Sequence, residues 1–246
     1  MWGERPIAVE KDALRRRIYA PAAYATVRNS AVVPVVHSEA YQLAAWFPLV
    51  WRSRGSERDF VAVRSLLHDQ RAQLPAARKV LPLILHAYPF VFDPNSPPDA
   101  DSGRMMDDVY ADHPTDVGAT ITTARGKFSR ATLLRFRILD SLAQDFPVTR
   151  EIGRALAGLG VLEPWQLKFD IEGQSVVIPN LFIVHQGAFD TGIFSAFLEK
   201  FGAQAALILG LHRVSLFRAG MLLAMARKHL KQTTTSLTDE KSDSVA

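Results

Sequence analysis

A chain of 246 residues, 48% hydrophobic and 22% charged, holds enough apolar material for one large core or two small ones. It has no cysteine, which excludes a disulfide framework, a thiolate metal site and a cysteine nucleophile. The net charge of +4 is a mild bias that permits contact with nucleic acid or an anionic membrane without arguing for either.

Residues 1–31 read as an arm, mixed in charge and rich in alanine. Its start, "MWGERPIAVEKDALRRR", has no apolar stretch of the secretory kind, so the expected location is cytoplasmic, with peripheral attachment or signal-independent export left open. "SEAYQLAAWF" (residues 38–47) predicts a short helix capped by Ser38, with Gln42 near the reciprocal capping position. Pro48 stops it, because the residue before a proline is pushed out of the α region. "PLVWRSR" then predicts a strand, "GSERD" a turn and "FVAVRSLL" (residues 60–67) a second strand, together a hairpin. The same logic recurs downstream. "AARKVLPLILHAY" is helical or irregular, Pro89 ends it, and "PFVFDP" runs on as a strand. Both aromatic-proline segments would pack rings on a sheet.

Residues 93–126 crowd Pro, Asp, Ser and Gly and hold few apolar side chains, which predicts a long loop between two halves, with 95–115 the first segment cut by proteases. From Ser129 the pattern turns helical, with Leu134, Ile138 and Leu142 on one face. A second helix is expected from an N-cap at Thr149 to a stop at Gly158 or Gly160. "LKFDIEGQSVVIPNLFIVH" alternates around Glu172-Gly173, a hairpin turn, and "DTGIFSAFLEKFG" is a helix ended by Gly202. The last helix, "AQAALILGLHRVSLFRAGMLLAMARKHLK", is apolar nearly all round and so is expected at the centre of the C-terminal core. Residues 202–226 are long enough to span a bilayer. However, His212, Arg213 and Arg218 stand at their centre, and each such arginine costs roughly 2.5–3.5 kcal/mol there. The expectation is therefore a soluble protein with no membrane span. The polar tail, 231–246, is expected to be disordered. The predicted fold class is α+β: an antiparallel, strand-rich N-terminal half packed with a helix-rich C-terminal half, as one unit over 32–230.

Catalytic motifs are absent: there is no nucleophile elbow, phosphate loop, dinucleotide fingerprint, HExxH or EF-hand loop, and no cofactor is indicated. His37 and Glu39 are of metal-ligand type, as are Asp107, Asp108, Asp112 and His113. A metal needs three or four converging ligands; otherwise Glu39 is a first-turn acid and the aspartates solvate a loop. His212 and Ser215 lie three apart and share a helix face, which reads either as a satisfied core histidine or as a pocket. "RGKFSRATLLRFR" interleaves basic residues with rings, but a solvated helix face explains it better than nucleic acid. Phe47, Phe90 and Phe92, with no polar handle, are expected in the core. Trp46 and Tyr88, whose N–H and O–H suit a wet edge, are the candidates for a shared ligand pocket with His212 and Ser215.

The order of these pieces is similar to one family. "EAYQLAAWFPLVW", "FVAVRSLL", "HAYPFVF", "GVLEPWQL", "IPNLFIVHQ" and "ILGLHRVSLF" follow one another as in the SapC-like bacterial proteins, over about residues 30 to 230. The loop at "MMDDVYADHPTD" keeps that family's acidity but lacks its Leu-Phe pair. The resemblance implies an accessory or binding role near bacterial surface-layer or uptake systems, handling a peptide or small ligand; it supplies no catalytic residues. The leading expectation is a non-catalytic binding or accessory protein with a protein or peptide partner. The alternatives are an enzyme of unrecognised type, metal-assisted or oxygenase-like, through His37, Glu39, Asp107 or His212, and a self-associating structural subunit of an envelope assembly.

Overall fold

The computed structural model describes residues 6–9, 14, 16–55, 57–92, 104–114, 116–171 and 173–243. The described part of the segment expected as an arm is built into the fold. Its strands β1 (Pro6–Ala8) and β2 (Arg17–Ile18) pair with partners a hundred residues away, and helix α1 (Ala25–Asn29) buries Val27. Strand β3 (Val32–Pro34) follows.

The first aromatic-proline segment turns helix α2 (Ala40–Leu43) into strand β4 (Leu49–Arg54), and β5 (Glu57–Val63) returns as a hairpin. Its turn is two residues, with Gly55 at φ +63°, where a side chain would be strained. The second segment turns α3 (Leu83–Ala87) into β6 (Phe90–Phe92). Proline therefore marks a helix end and a strand start in both places.

Within the region expected as a long loop, β7 (Arg104–Asp107) is the middle strand of the sheet β1-β7-β6, and β8 (Ala119–Thr120) pairs with β2. Met106, Asp107 and Ile121 are buried there. Residues 95–103 and 115 of the segment expected to be cut first lie outside the described residues, as do 93 and 94.

Helix α4 (Arg130–Gly158) is one helix of 29 residues that continues through Pro147. Its cap is Ser129, whose hydroxyl accepts from the Thr132 N–H; Thr149, expected as a second cap, is buried inside it. The buried face is Thr132, Phe136, Leu139, Leu142 and Phe146, and Leu134 is exposed, so the apolar face is turned from the one expected. Proline removes only one ladder donor, and packing on both sides of it holds the helix.

After α4 come β9 (Leu162–Pro164), the hairpin β10 (Leu167–Ile171) and β11 (Gln174–Ile178) around Gly173, and β12 (Leu181–Val184). Helices α5 (Ser195–Ser215) and α6 (Ala219–Asp243) close the chain. Gly202, at φ +60°, breaks α5 near its start, and α6 carries helix through most of the tail expected to be disordered.

The central sheet is antiparallel in the order β3-β5-β4-β12-β9. Side chains alternate across it. Leu49, Trp51, Phe60 and Ala62 face one cluster with Ile152 and Leu156 of α4 and Ile208 and Leu209 of α5. Val50, Val61 and Val63 face another with Leu167, Ile171, Leu222 and Ala226. Covering on both faces explains why "FVAV" is apolar without alternation. A third cluster gathers Tyr24, Tyr88, Phe90 and Met106 against Phe136, Leu139 and Leu142. Because α4 packs on two of the clusters, it ties the N-terminal segment to the central sheet.

Gly153 marks the closest approach of α4 to this sheet. A Cβ there would lie 2.5 Å from the Arg58 carbonyl oxygen and 3.4 Å from Trp51. Glycine to alanine inside a helix ordinarily gains about 1 kcal/mol. Here it must displace strand backbone, so Gly153→Ala is expected to lose about 1–3 kcal/mol by urea unfolding. A gain would show that the helix moves off freely.

Candidate functional site

β12 follows β4 only through Leu181 opposite Arg52 and Phe182 opposite Trp51. Continuing that register would set Val184 opposite Leu49. In that place the ladder is completed by a side chain. His212 of α5 donates from Nδ1 to the Leu49 carbonyl at 2.6 Å and accepts at Nε2 from the Val184 N–H at 3.1 Å. One turn on, the Ser215 hydroxyl accepts from the Leu49 N–H at 2.9 Å and donates to the His212 carbonyl at 2.7 Å. Both residues are fully buried, and the Trp51 ring lies edge-on to the imidazole at 4.7 Å. One nitrogen must donate and the other accept, so the ring is neutral. Burial pushes its pKa down to about 4; the Leu49 hydrogen bond opposes that shift and Arg213 adds to it.

Tyr88 is also fully buried but sits in another cluster. Its hydroxyl donates to the buried Asp107 carboxylate at 2.8 Å, and its ring stands edge-on to Tyr24 at 5.0 Å. Trp46 is half-buried against the Trp51 cluster. The structure thus brings His212 and Ser215 together, and Tyr88 and Asp107 together. It does not bring Trp46, Tyr88 and His212 to one cavity: the two rings expected at a shared wet edge lie over different clusters, and the polar atoms of His212 are spent on sheet backbone.

The residues of metal-ligand type are dispersed. The His37 Nδ1 lies 3.0 Å from the Thr149 hydroxyl. Glu39 is buried and bridges two short helices. Its Oε1 accepts from the Val36 N–H at 3.0 Å and its Oε2 from the Leu83 N–H at 2.7 Å, at the start of α3. It therefore performs the local capping expected of Ser38, whose hydroxyl donates to Asp145 instead, at 2.5 Å. Burial raises the Glu39 pKa to about 7 against those two hydrogen bonds. Asp108 pairs with Arg16 at 2.5 Å and Asp112 with Arg28, while His113 is exposed beside Asp112. Among the described residues no three His, Asp or Glu converge.

An apolar groove of about 390 Å³ opens where the β10–β11 hairpin meets β12. Pro164, Trp165, Val177, Pro179 and Phe182 line it. Asn180, at φ +62°, makes the turn into β12, and the Trp165 backbone N–H donates to the Leu181 carbonyl at 2.8 Å, which ties the backbone of this segment to β12. The Arg58 guanidinium lies 4.9 Å from the centre of the Phe182 ring. Gln166, Lys168 and Asn180 supply its polar side chains. This arrangement suits an apolar ligand with a few polar handles and has no general base or nucleophile in place. Sequence reasoning missed Trp165 and Phe182 as site residues. Trp165 stands beside Pro164 before an alternating strand, a signal no different from that of a core tryptophan. A second, more open cavity of about 420 Å³ lies over Tyr24, Asn29, Asp108, Tyr110 and Asp112, with both aspartates held by arginines.

Compared with known proteins, the chain matches the SapC family over residues 14–212. No curated protein matches it, and no solved structure does. The match takes in the aromatic-proline segments, the groove and the helix as far as His212, and the chain belongs to the SapC family.

Proposed function

We propose that this chain is a non-catalytic binding or accessory protein of the bacterial cytoplasm, and that its ligand seat is the groove at Trp165. The observation that carries this reading is the groove itself: a mainly apolar, partly open channel lined by an indole, two prolines and a phenyl ring, with few polar groups. Rings and prolines offer rigid apolar surface at little entropic cost, which suits a short apolar peptide segment. Two of the groups with strongly perturbed protonation, His212 and Glu39, support this reading from the other side, because both spend their polar atoms on backbone.

The test uses the apolar dye 1-anilinonaphthalene-8-sulfonate with the full chain and a Trp165→Ala variant, alongside native mass spectrometry for small molecules that co-purify. The variant is expected to bind the dye at least about tenfold more weakly, about 1.4 kcal/mol, and to lose any co-purifying ligand. Its unfolding temperature should stay close to that of the parent, since Trp165 is only half-buried. Equal dye binding by both proteins would remove the groove as the seat.

A further inference from the structure

The helix expected at the centre of the core buries one face only. Ala205, Ile208, Leu209, His212 and Ser215 of α5 are sealed against the sheet. On the opposite side Leu207 is 51% exposed, Val214 63% and Phe217 85%. These three, with Gly210 between them and Met221 beyond, recur at spacings of three and four, so they form one stripe along a nearly continuous helical path from α5 into α6. Single exposed apolar side chains are ordinary; an aligned row of them on one helix marks an interaction surface.

Along the stripe itself the charges are of one sign. From Gly202 to residue 238 the chain carries Arg213, Arg218, Arg227, Lys228 and Lys231 and no aspartate or glutamate, while Lys200, before the stripe, is paired with Glu151. At 100° per residue Arg213 and Arg218 flank the stripe on its two sides, and Lys228 falls on its continuation. Two copies laid stripe to stripe would set these cations against one another, with no acid in the stretch to answer them. An anionic surface meets both features at once. Rings and aliphatic groups enter the boundary between headgroups and acyl chains, while arginine and lysine reach up to the phosphates. The stretch Gly192–Thr233 is long and apolar enough to cross a membrane by length and composition. Its other face is committed to the sheet through His212 and Ser215, so the geometry favours lying on a surface over crossing it.

We infer that the α5–α6 stripe is a docking surface for an anionic lipid membrane, with Phe217 its deepest anchor. This goes beyond the groove at Trp165 and does not depend on it.

The experiment is co-flotation of the full chain with vesicles of phosphatidylcholine alone and of phosphatidylcholine mixed with phosphatidylglycerol. It is run at low salt and at about 0.5 M, where the Debye length falls to several ångströms. The chain is expected to float with the mixed vesicles, to stay behind with the neutral ones, and to be released by salt. Phe217→Glu and Val214→Glu should each cut partitioning at least about tenfold, with unchanged unfolding temperatures because both positions are exposed, and Arg218→Glu should remove the preference for phosphatidylglycerol. Trp165→Ala should float like the parent, so failure here and failure of the groove are told apart. No flotation, or equal flotation with both vesicle types, overturns the proposal. So does a parent that is dimeric by light scattering, fails to float, and becomes monomeric as Phe217→Glu, which would give the stripe to a second copy.

Discussion

His212→Ala is expected to cost about 3–5 kcal/mol of folding stability, which lowers the unfolding temperature of a chain this size by on the order of 10 °C. The loss has two parts. Removing the imidazole leaves the Leu49 carbonyl and the Val184 N–H facing each other across a gap too wide for a direct bond, and each buried orphan costs about 1–3 kcal/mol. It also opens a void beside the Trp51 ring, which is fully buried and in edge contact with the imidazole. His212→Gln keeps one donor and one acceptor and should recover part of the loss, whereas a leucine of similar bulk should not. The two substitutions separate filling the space from completing the ladder. An alanine variant that unfolds with the parent would mean that β12 closes onto β4 by itself.

Part of this clamp could be read from the chain, and part could not. The spacing of His212 and Ser215 places them on one helix face, and their apolar surroundings mark that face as buried. That the face meets a gap in a ladder depends on where β12 departs from β4, and those strands stand about 130 residues apart in sequence. Proline as a switch from helix to strand is a local rule, and it holds at Pro48 and Pro89. The short strands escape local rules. "PIA" and "RI" are too brief to show a period of two, and they exist because β7 and β8 supply the missing partners. "RMMD" is hidden by its polar neighbours, and its aspartate reads as a solvated loop acid until Tyr88 is seen donating to it. Pro147 misleads in the opposite way: a local breaker is overridden by packing on both sides. The unanswered apolar stripe misleads too. An all-round apolar helix is ordinarily central, and only the layers around α5 reveal which side was left uncovered.

Glu39→Gln is expected to change the pH dependence of stability by about 3 kcal/mol between pH 4 and pH 8. The wild-type carboxyl ordinarily titrates near 4.5 and in the folded chain near 7, because burial penalises its charge more than the Val36 and Leu83 N–H groups repay it. The folded state thus holds the proton more tightly than the unfolded one. Glu39 contributes stability that is full below about pH 4.5 and is lost as pH rises through about 7, a change of ~3 kcal/mol. His212 works in the opposite sense. Its folded pKa of about 4 lies below the ordinary 6.5, so its contribution is full above pH 6.5 and is lost as pH falls through about 4, by a similar amount. Between pH 4.5 and 6.5 the two slopes oppose each other and nearly cancel. Each variant should therefore unmask the other group. Glu39→Gln should lose stability on acidification more steeply than the parent, and His212→Gln should lose it on alkalinisation. The glutamine at position 39 also has one carbonyl for two N–H donors, so it should start lower by about 1–3 kcal/mol at mildly acid pH, where the protonated parent can still accept at both oxygens. The measurement is the urea midpoint of parent and variants across this range, read as the difference between profiles so that the remaining carboxylates drop out. A Glu39→Gln profile parallel to the parent's would mean that the carboxyl titrates alike in both states and that water reaches it at the junction of the two helices.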